Sequence, residues 1–238
     1  NHVHQNIAGI DFFFHFHPLA ALHFYCQNLC RRYPMQQSQI QHWHNVAGTM
    51  FPLYVDHWSR HPDVIDRTPL MQEQVFDVPY KLPSGRIIKL RGKWDGVDLI
   101  GKGRGAGVYL AEHKTKSAID PVKVQRQLAF DLQTQFYLVA LGIARAQQTT
   151  IAEHFQGVPI RGVRYNVVRR SSHKQGKKES AQEFSDRLSA MIKGSPDEWF
   201  ARWKVEVTAG DVARFRRECL DPILEQLCDW WEWIEGCG

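Results

Sequence analysis

The sequence has few cysteines and no long hydrophobic run, and each shortage excludes a class of protein. The five cysteines among 238 residues are odd in number and widely spaced, which argues against a disulfide scaffold. We therefore expect reduced thiols and a cytoplasmic protein. No run of about 18 apolar residues occurs, so we expect no membrane span. The opening residues, NHVHQN, do not resemble the basic start of a secretory signal.

Two common ligand-binding patterns are also missing. The glycine-rich segment GKGRGAG at 101–107 lacks the Gly-Lys-Ser/Thr ending of a phosphate-binding loop. It precedes a predicted strand rather than a helix, so we interpret it as a hairpin turn. Five histidines occur among the first 25 residues, but no pair of them joins cysteines or a carboxylate in a known zinc pattern. We predict no zinc site there.

The composition is that of a folded domain. Hydrophobic residues make up 43% of the chain and aromatic residues 12%, which excludes a disordered protein. A net charge of +5 permits binding to a polyanion without requiring it. We predict one domain over residues 1–238. Its parts are an N-terminal helical part (1–65), a catalytic core (66–170) and a C-terminal helical part (171–238).

Hydrophobic periodicity predicts an α/β fold. Strands are expected over 73–80, 108–116, 160–169 and 201–208, and a strand or strand pair over 86–100. One long helix is expected from Asp120 to about Arg145. A further helix is expected near 39–61, and Asp211 is expected to cap a long C-terminal helix.

Three residues of the predicted core suggest a chemical site. Glu112 and Lys114 are two apart on a predicted strand, so their side chains lie on one face and His113 on the other. If the strand that contains Asp95 pairs with this one, its carboxylate joins them. The predicted hairpin turn at 101–107 favours that pairing.

Two carboxylates and one ammonium have a plausible joint use. Paired carboxylates suit Mg²⁺, which takes few protein ligands and keeps several waters. A bound metal ion activates water and stabilises charge on a phosphoryl oxygen, and a nearby lysine can orient the water or screen that charge. The alternative is an ordinary salt bridge at the end of a strand, because an E-x-K triplet often occurs by chance.

The wider pattern resembles a known family. Gly92-Lys-Trp-Asp95, Glu112-His-Lys114 and Gln133-Thr-Gln-Phe-Tyr137 together resemble the RecB-like exonuclease branch of the PD-(D/E)XK nuclease superfamily, its phage and bacterial members most of all. The resemblance covers residues 48–235. It implies a restriction-endonuclease-like core, in which a central mixed β-sheet is flanked by α-helices on both faces.

The resemblance also implies roles for individual residues. Asp95, Glu112 and the carbonyl of His113 would bind Mg²⁺ or Mn²⁺, and Lys114 would serve the attacking water. Gln133 and Tyr137 would lie beside the site.

The resemblance points to two supporting residues and bears on a second cofactor. Glu73 matches an acidic position frequent in this group, and His17 is the best candidate for a histidine that approaches the metal. Both have an alternative role: Glu73 as simply the start of a strand, and His17 as a packing residue of a helix.

Some RecB-like nucleases hold an iron–sulfur cluster, but the spacing of the late cysteines here differs, so we expect none.

A basic segment follows the predicted core. Between residues 161 and 178 there are seven Lys or Arg and no acid. Such side chains can contact DNA phosphates without reading sequence, although a solvated loop is the alternative. The seven are Arg161, Arg164, Arg169, Arg170, Lys174, Lys177 and Lys178.

These observations lead to a functional hypothesis. We expect a Mg²⁺-dependent, exonuclease-like deoxyribonuclease that acts in recombination, repair or phage DNA processing, with DNA as its partner. A catalytically silent nucleic-acid-binding protein of the same fold, or a metal-dependent hydrolase of small molecules, remains open.

Overall fold

The computed structural model describes residues 18–59, 61, 64, 66–129, 131–147, 153, 155 and 157–236. These separate into two compact units. The first comprises the described part of Asn1–Asp56 together with Ser172–Gly194, and the second comprises that of His57–Ser171 together with Ser195–Gly238. The candidate site lies in the second unit.

Two helices precede a run of three strands, after which helices and strands are mixed. In order they are α1 (Pro18–Arg32), α2 (Gln37–Ser59), β1 (Arg67–Lys81), β2 (Ile87–Ile100), β3 (Gly107–Lys116), α3 (Pro121–Ala129), α4 (Leu132–Gln147), β4 (Ile160–Arg169), α5 (Ala181–Gly194), β5 (Phe200–Glu206), α6 (Ala209–Phe215) and α7 (Asp221–Gly236).

The second unit contains a mixed sheet of five strands, in the order β1-β2-β3-β4-β5. Strands β1, β2 and β3 are antiparallel neighbours, β3 and β4 run parallel, and β5 is antiparallel to β4. The predicted α/β class, with a mixed sheet flanked by helices, is confirmed and is consistent with a restriction-endonuclease-like core.

The burial pattern of each strand explains its place in the sheet. In β1, Phe76, Val78 and Tyr80 are buried while the residues between them are exposed, as expected for a strand with one solvated face. Pro79 fits there because β1 is an edge strand. Residues 107–112 of the central strand β3 are all buried, as in a strand covered on both faces.

Helix α4 covers the sheet beside the candidate site. Leu138, Leu141 and Ala144 are buried in the main core. The indole Nε1 of Trp94 donates a hydrogen bond to the Tyr137 carbonyl at 3.3 Å, which ties α4 to β2. The helix is therefore held in place by both apolar packing and a hydrogen bond.

Two predicted helices differ from the structure. The single helix expected from Asp120 to about Arg145 is two helices, α3 and α4, and Asp131 lies just before the second. The carbonyl of Asp131 accepts the Gln135 N–H, so a new helix begins there. In the C-terminal segment Thr208, not Asp211, is the N-cap of α6, and Asp211 completes the capping box from its third position.

A buried ion cluster joins three strands of the sheet. Asp98 on β2 is fully buried, and its Oδ2 lies 2.7 Å from Arg67 Nε of β1 and 3.3 Å from Arg164 Nη1 of β4. Arg164 is itself only 5% exposed. A buried carboxylate of this kind is stable only because cations contact it.

No helix in the described part of the chain is long and apolar enough to cross a membrane. The four cysteines in that part, Cys26, Cys30, Cys219 and Cys228, are free thiols.

We expect Asp98→Ala to lower the free energy of unfolding by about 3–5 kcal/mol, because it leaves the buried Arg164 without its carboxylate. The measurement is urea unfolding monitored by tryptophan fluorescence. Asp77→Ala is the matched control, since Asp77 of β1 pairs with Arg91 of β2 at an exposed position. This substitution should lower the free energy of unfolding by less than about 1 kcal/mol. Equal losses in the two variants would contradict a special role for the buried cluster.

Candidate active site

The site forms where β2 and β3 separate. Their pairing ends at Gly96 and Ala111, so Asp95 and Glu112 are the next residues on neighbouring strands. The Asp95 carboxylate reaches across and accepts the backbone N–H of His113 at 3.0 Å. The two acidic residues are therefore brought to the same end of the strand pair, as the sequence predicted.

Glu112 is a buried carboxylate with one oxygen in contact with a lysine. Its residue is only 3% exposed, and Oε1 lies 2.9 Å from Lys114 Nζ. Oε2 is buried and has no hydrogen-bond partner among the described residues. Burial raises the pKa of Glu112, as do the charges of Asp95 and Asp131, and Lys114 opposes them only in part.

Lys114 has three partners in the site. Its Nζ donates to Gln133 Oε1 at 2.9 Å and lies 2.9 Å from Glu112 Oε1 and 3.5 Å from Asp131 Oδ2. Burial by itself would lower the pKa of Lys114, but contact with Glu112 and then Asp131 outweighs it and raises that pKa. The lysine is consequently held as an ammonium ion at neutral pH.

Gln133 and Tyr137 extend the site along α4. Gln133 Nε2 donates to the Tyr137 hydroxyl at 3.2 Å, one helical turn away. The Tyr137 ring packs edge-on against Phe76 at 5.5 Å between centroids. Gln133 therefore contacts Lys114, and Tyr137 is connected to the site through Gln133.

His113 contributes to this face only through its backbone. Its ring is on the opposite face of β3, where Nδ1 lies 3.0 Å from Asn166 Nδ2. A metal contact by His113 would have to use its carbonyl oxygen, and that role stays a prediction.

The two supporting residues have different outcomes. The Glu73 carboxylate pairs with Lys93, and Glu73 has a φ of 49°, an unusual value for a residue other than glycine. Contact with Glu73 raises the pKa of Lys93, and the charge of Asp95 adds to that effect, so Glu73 is linked to the site through Lys93. His17 lies outside the described residues.

Asp131 is a site residue that the sequence analysis missed. The single predicted helix places Asp131 in its interior, whereas the structure places its carboxylate beside Lys114. The available signal was an aspartate directly before the apolar run of α4, a common pattern at a helix start.

The predicted DNA contacts divide into several groups. Arg164 is wrong for this role, because it is buried and bound to Asp98. Arg161 donates to the Ala106 carbonyl, and Arg169 stacks over Trp199 and contacts Glu198. Arg170 in the second unit is exposed. So are three lysines of the first unit, Lys174, Lys177 and Lys178.

The basic segment of the first unit has a defined anchor. Glu179 receives two hydrogen bonds from the Arg187 guanidinium, at 2.7 and 2.8 Å, and one from the Gly176 N–H at 2.7 Å. Arg187 also donates to the Lys174 carbonyl at 3.1 Å. These contacts hold residues 174–179 against α5, so the lysines project from an ordered turn.

The donor set can be compared with the needs of a metal ion. In the described part of the chain no three His, Cys, Asp or Glu side chains are grouped closely enough to hold a metal. Asp95 and Glu112 supply two carboxylates, and Mg²⁺ commonly uses one or two while keeping its waters. Oε2 of Glu112 has no hydrogen-bond partner among the described residues, so it is available to a cation. The residues present fit a hydrated divalent cation.

A family model described as the PD-(D/E)XK nuclease superfamily matches residues 20–237, which is most of the chain. No curated protein matches the sequence. Members of the superfamily are usually nucleases and generally use divalent metals.

The anchor of the basic turn gives a pH-dependent prediction. Hydrogen bonds from Arg187, and then from Gly176, lower the pKa of Glu179 from 4.5 to about 2. A lowered carboxyl pKa adds stability above 4.5, and that stability is lost as the pH falls toward about 2. We expect Arg187→Ala to raise the Glu179 pKa toward 4.5, measured by NMR titration of the side-chain carboxyl. A wild-type midpoint near 4.5 would contradict the anchor.

Proposed function

Because the chain belongs to the PD-(D/E)XK nuclease superfamily, we propose that it is a metal-dependent deoxyribonuclease. The observation that carries this proposal is the meeting of Asp95, Glu112 and Lys114 where β2 and β3 separate. The motif resemblance further favours an exonuclease-like enzyme of the RecB-like branch, of phage or bacterial type, that acts in recombination, repair or phage DNA processing.

Asp95, Glu112 and the His113 carbonyl would hold Mg²⁺ or Mn²⁺. When bound, the ion supplies a Lewis acid that lowers the pKa of a bound water and stabilises charge on the phosphate. Glu112 suits this role because its Oε2 is unpartnered while Lys114 engages Oε1.

Lys114 would act as a fixed positive charge. The N–H groups of its ammonium can donate hydrogen bonds. Gln133, Glu112 and Asp131 determine where the ammonium group lies. From there it donates a hydrogen bond to the attacking water and stabilises the negative charge that develops on the phosphoryl oxygen. Gln133, which accepts from Lys114 and donates to Tyr137, keeps the lysine at that place.

The exposed cations supply a second part of the proposal. Arg170 and the lysines at 174, 177 and 178 are solvent-exposed, so their charges are available to DNA phosphates. Phosphate contacts carry no base information, so binding through them is independent of sequence. That property suits an enzyme that degrades DNA of any sequence.

We expect Lys114→Ala to lower the rate of DNA cleavage in Mg²⁺ by about 10²–10³-fold, the usual effect of losing one positioned donor that stabilises developing negative charge. We expect EDTA to abolish cleavage and added Mn²⁺ to restore it. The measurement is single-turnover cleavage of an end-labelled oligonucleotide.

Lys102→Ala serves as the control, because Lys102 lies in the β2–β3 turn and pairs with Asp66. Its cleavage rate should equal that of the wild type. Unchanged cleavage by Lys114→Ala, or by the wild type in EDTA, would refute the proposed chemistry. DNA binding without turnover in either metal would instead favour the catalytically silent alternative.

The DNA contacts predict a salt dependence. On duplex DNA each lost phosphate contact lowers the slope of log affinity against log salt by about 0.9. We therefore expect Lys177→Gln combined with Lys178→Gln to flatten the slope by about 1 to 2, measured by fluorescence anisotropy from 50 to 200 mM salt. Lys102→Gln, which removes a charge already paired with Asp66, should leave the slope unchanged. A slope that does not change in the double variant would place these lysines outside the DNA interface.

A further inference from the structure

In the described part of the chain, the carboxylate of Asp131 does not cap the helix that follows it. It directly precedes α4, where an aspartate normally accepts a backbone N–H from the first turn of the helix. Asp120 does so before α3, since its Oδ1 accepts the Lys123 N–H at 3.1 Å. The side chain of Asp131 accepts no backbone N–H from the described residues of α4.

The carboxylate of Asp131 is directed at Lys114 instead. Oδ2 is buried, lacks a hydrogen-bond partner among the described residues, and lies 3.5 Å from Lys114 Nζ. The side chain is 27% exposed, so water screens this attraction only in part.

The backbone of Asp131 is firmly placed. Its carbonyl accepts the Thr134 hydroxyl at 2.9 Å and the Gln135 N–H at 3.1 Å. The same Thr134 hydroxyl lies 2.7 Å from the buried Tyr165 hydroxyl on β4, and Tyr165 is the neighbour of Glu112 across the β3–β4 pair. Asp131 is thereby fixed relative to the strand that bears Glu112 and Lys114.

This arrangement has a consequence for Glu112. An ammonium with a single carboxylate partner is attracted to both of its oxygens. The Asp131 carboxylate and the side-chain oxygen of Gln133 attract Lys114 from other directions. Lys114 therefore contacts Glu112 through Oε1. Oε2 then remains unpartnered.

We propose that Asp131 is a positioning residue: it holds the Lys114 ammonium against Gln133 and the Oε1 atom of Glu112, and so keeps Oε2 available. This inference rests on the proposed nuclease function, in which Lys114 serves the attacking water. In this role Asp131 acts through Lys114, which it contacts.

The test compares Asp131→Asn, which keeps the shape and removes the charge, with Asp131→Glu, which restores the charge. We expect single-turnover cleavage at saturating DNA to fall by about 10- to 100-fold in Asp131→Asn, as is usual when a supporting partner is lost. The dissociation constants for DNA and for Mn²⁺, the latter by calorimetry, should stay within about twofold of wild type. Asp131→Glu should recover part of the rate.

A double-mutant cycle separates positioning from general damage. Asp131→Asn should cause no further loss in the Lys114→Ala background, because its effect passes through the lysine. Asp120→Asn is the matched control, since it removes the aspartate before α3 and should leave cleavage unchanged. An equal rate for Asp131→Asn and wild type, an additive loss in the cycle, or a loss of Mn²⁺ binding would each overturn the proposal.

A crystal structure of Asp131→Asn gives a readout that does not need turnover. We expect Lys114 Nζ to leave Gln133 Oε1, from which it is 2.9 Å distant in the wild type. If the wild type proves inactive but Lys114 moves in the variant, the nuclease proposal fails and the positioning role stands. If the wild type cleaves DNA and Lys114 stays in place, the positioning role fails and the nuclease proposal stands.

Discussion

The contact on which the candidate site depends is the hydrogen bond from the His113 N–H to the Asp95 carboxylate. It forms just beyond Gly96 and Ala111, the last paired residues of β2 and β3. A strand that loses its backbone partner leaves N–H and C=O groups that need new ones. The aspartate side chain takes the place of the missing strand, and this substitution keeps Asp95 next to Glu112.

The sheet contains two buried carboxylates with contrasting surroundings. Asp98 is contacted by two arginines from the neighbouring strands β1 and β4, so its charge is compensated within the fold. Each carboxylate has one oxygen without a hydrogen-bond partner among the described residues, but there Glu112 has a single cationic partner, Lys114, which it shares with Asp131. Burying a charge that is only partly compensated costs stability, and such incomplete compensation is typical of functional sites. The contrast separates a carboxylate held by two cations from one that shares a single cation, and the second agrees with the proposed role of Glu112.

The basic residues also divide into buried and exposed groups. Arg164, from the basic segment of the sequence, is used inside the sheet, whereas Lys177 and Lys178 are exposed beside the Glu179–Arg187 anchor. A count of basic residues treats them alike. Burial decides which of them can reach a polyanion, since a guanidinium enclosed in the sheet is not accessible to a phosphate.

Local spacing along the chain is enough to predict strands and the shared face of Glu112 and Lys114, because side chains on a strand alternate with a period of two. The sequence also led to the pairing of the Asp95 and Glu112 strands through a hairpin. The tertiary structure decided the break before α4, the position of Asp131 and the burial of Arg164. Each of these depends on partners distant in sequence, namely Lys114 for Asp131 and Asp98 for Arg164, which local periodicity does not record.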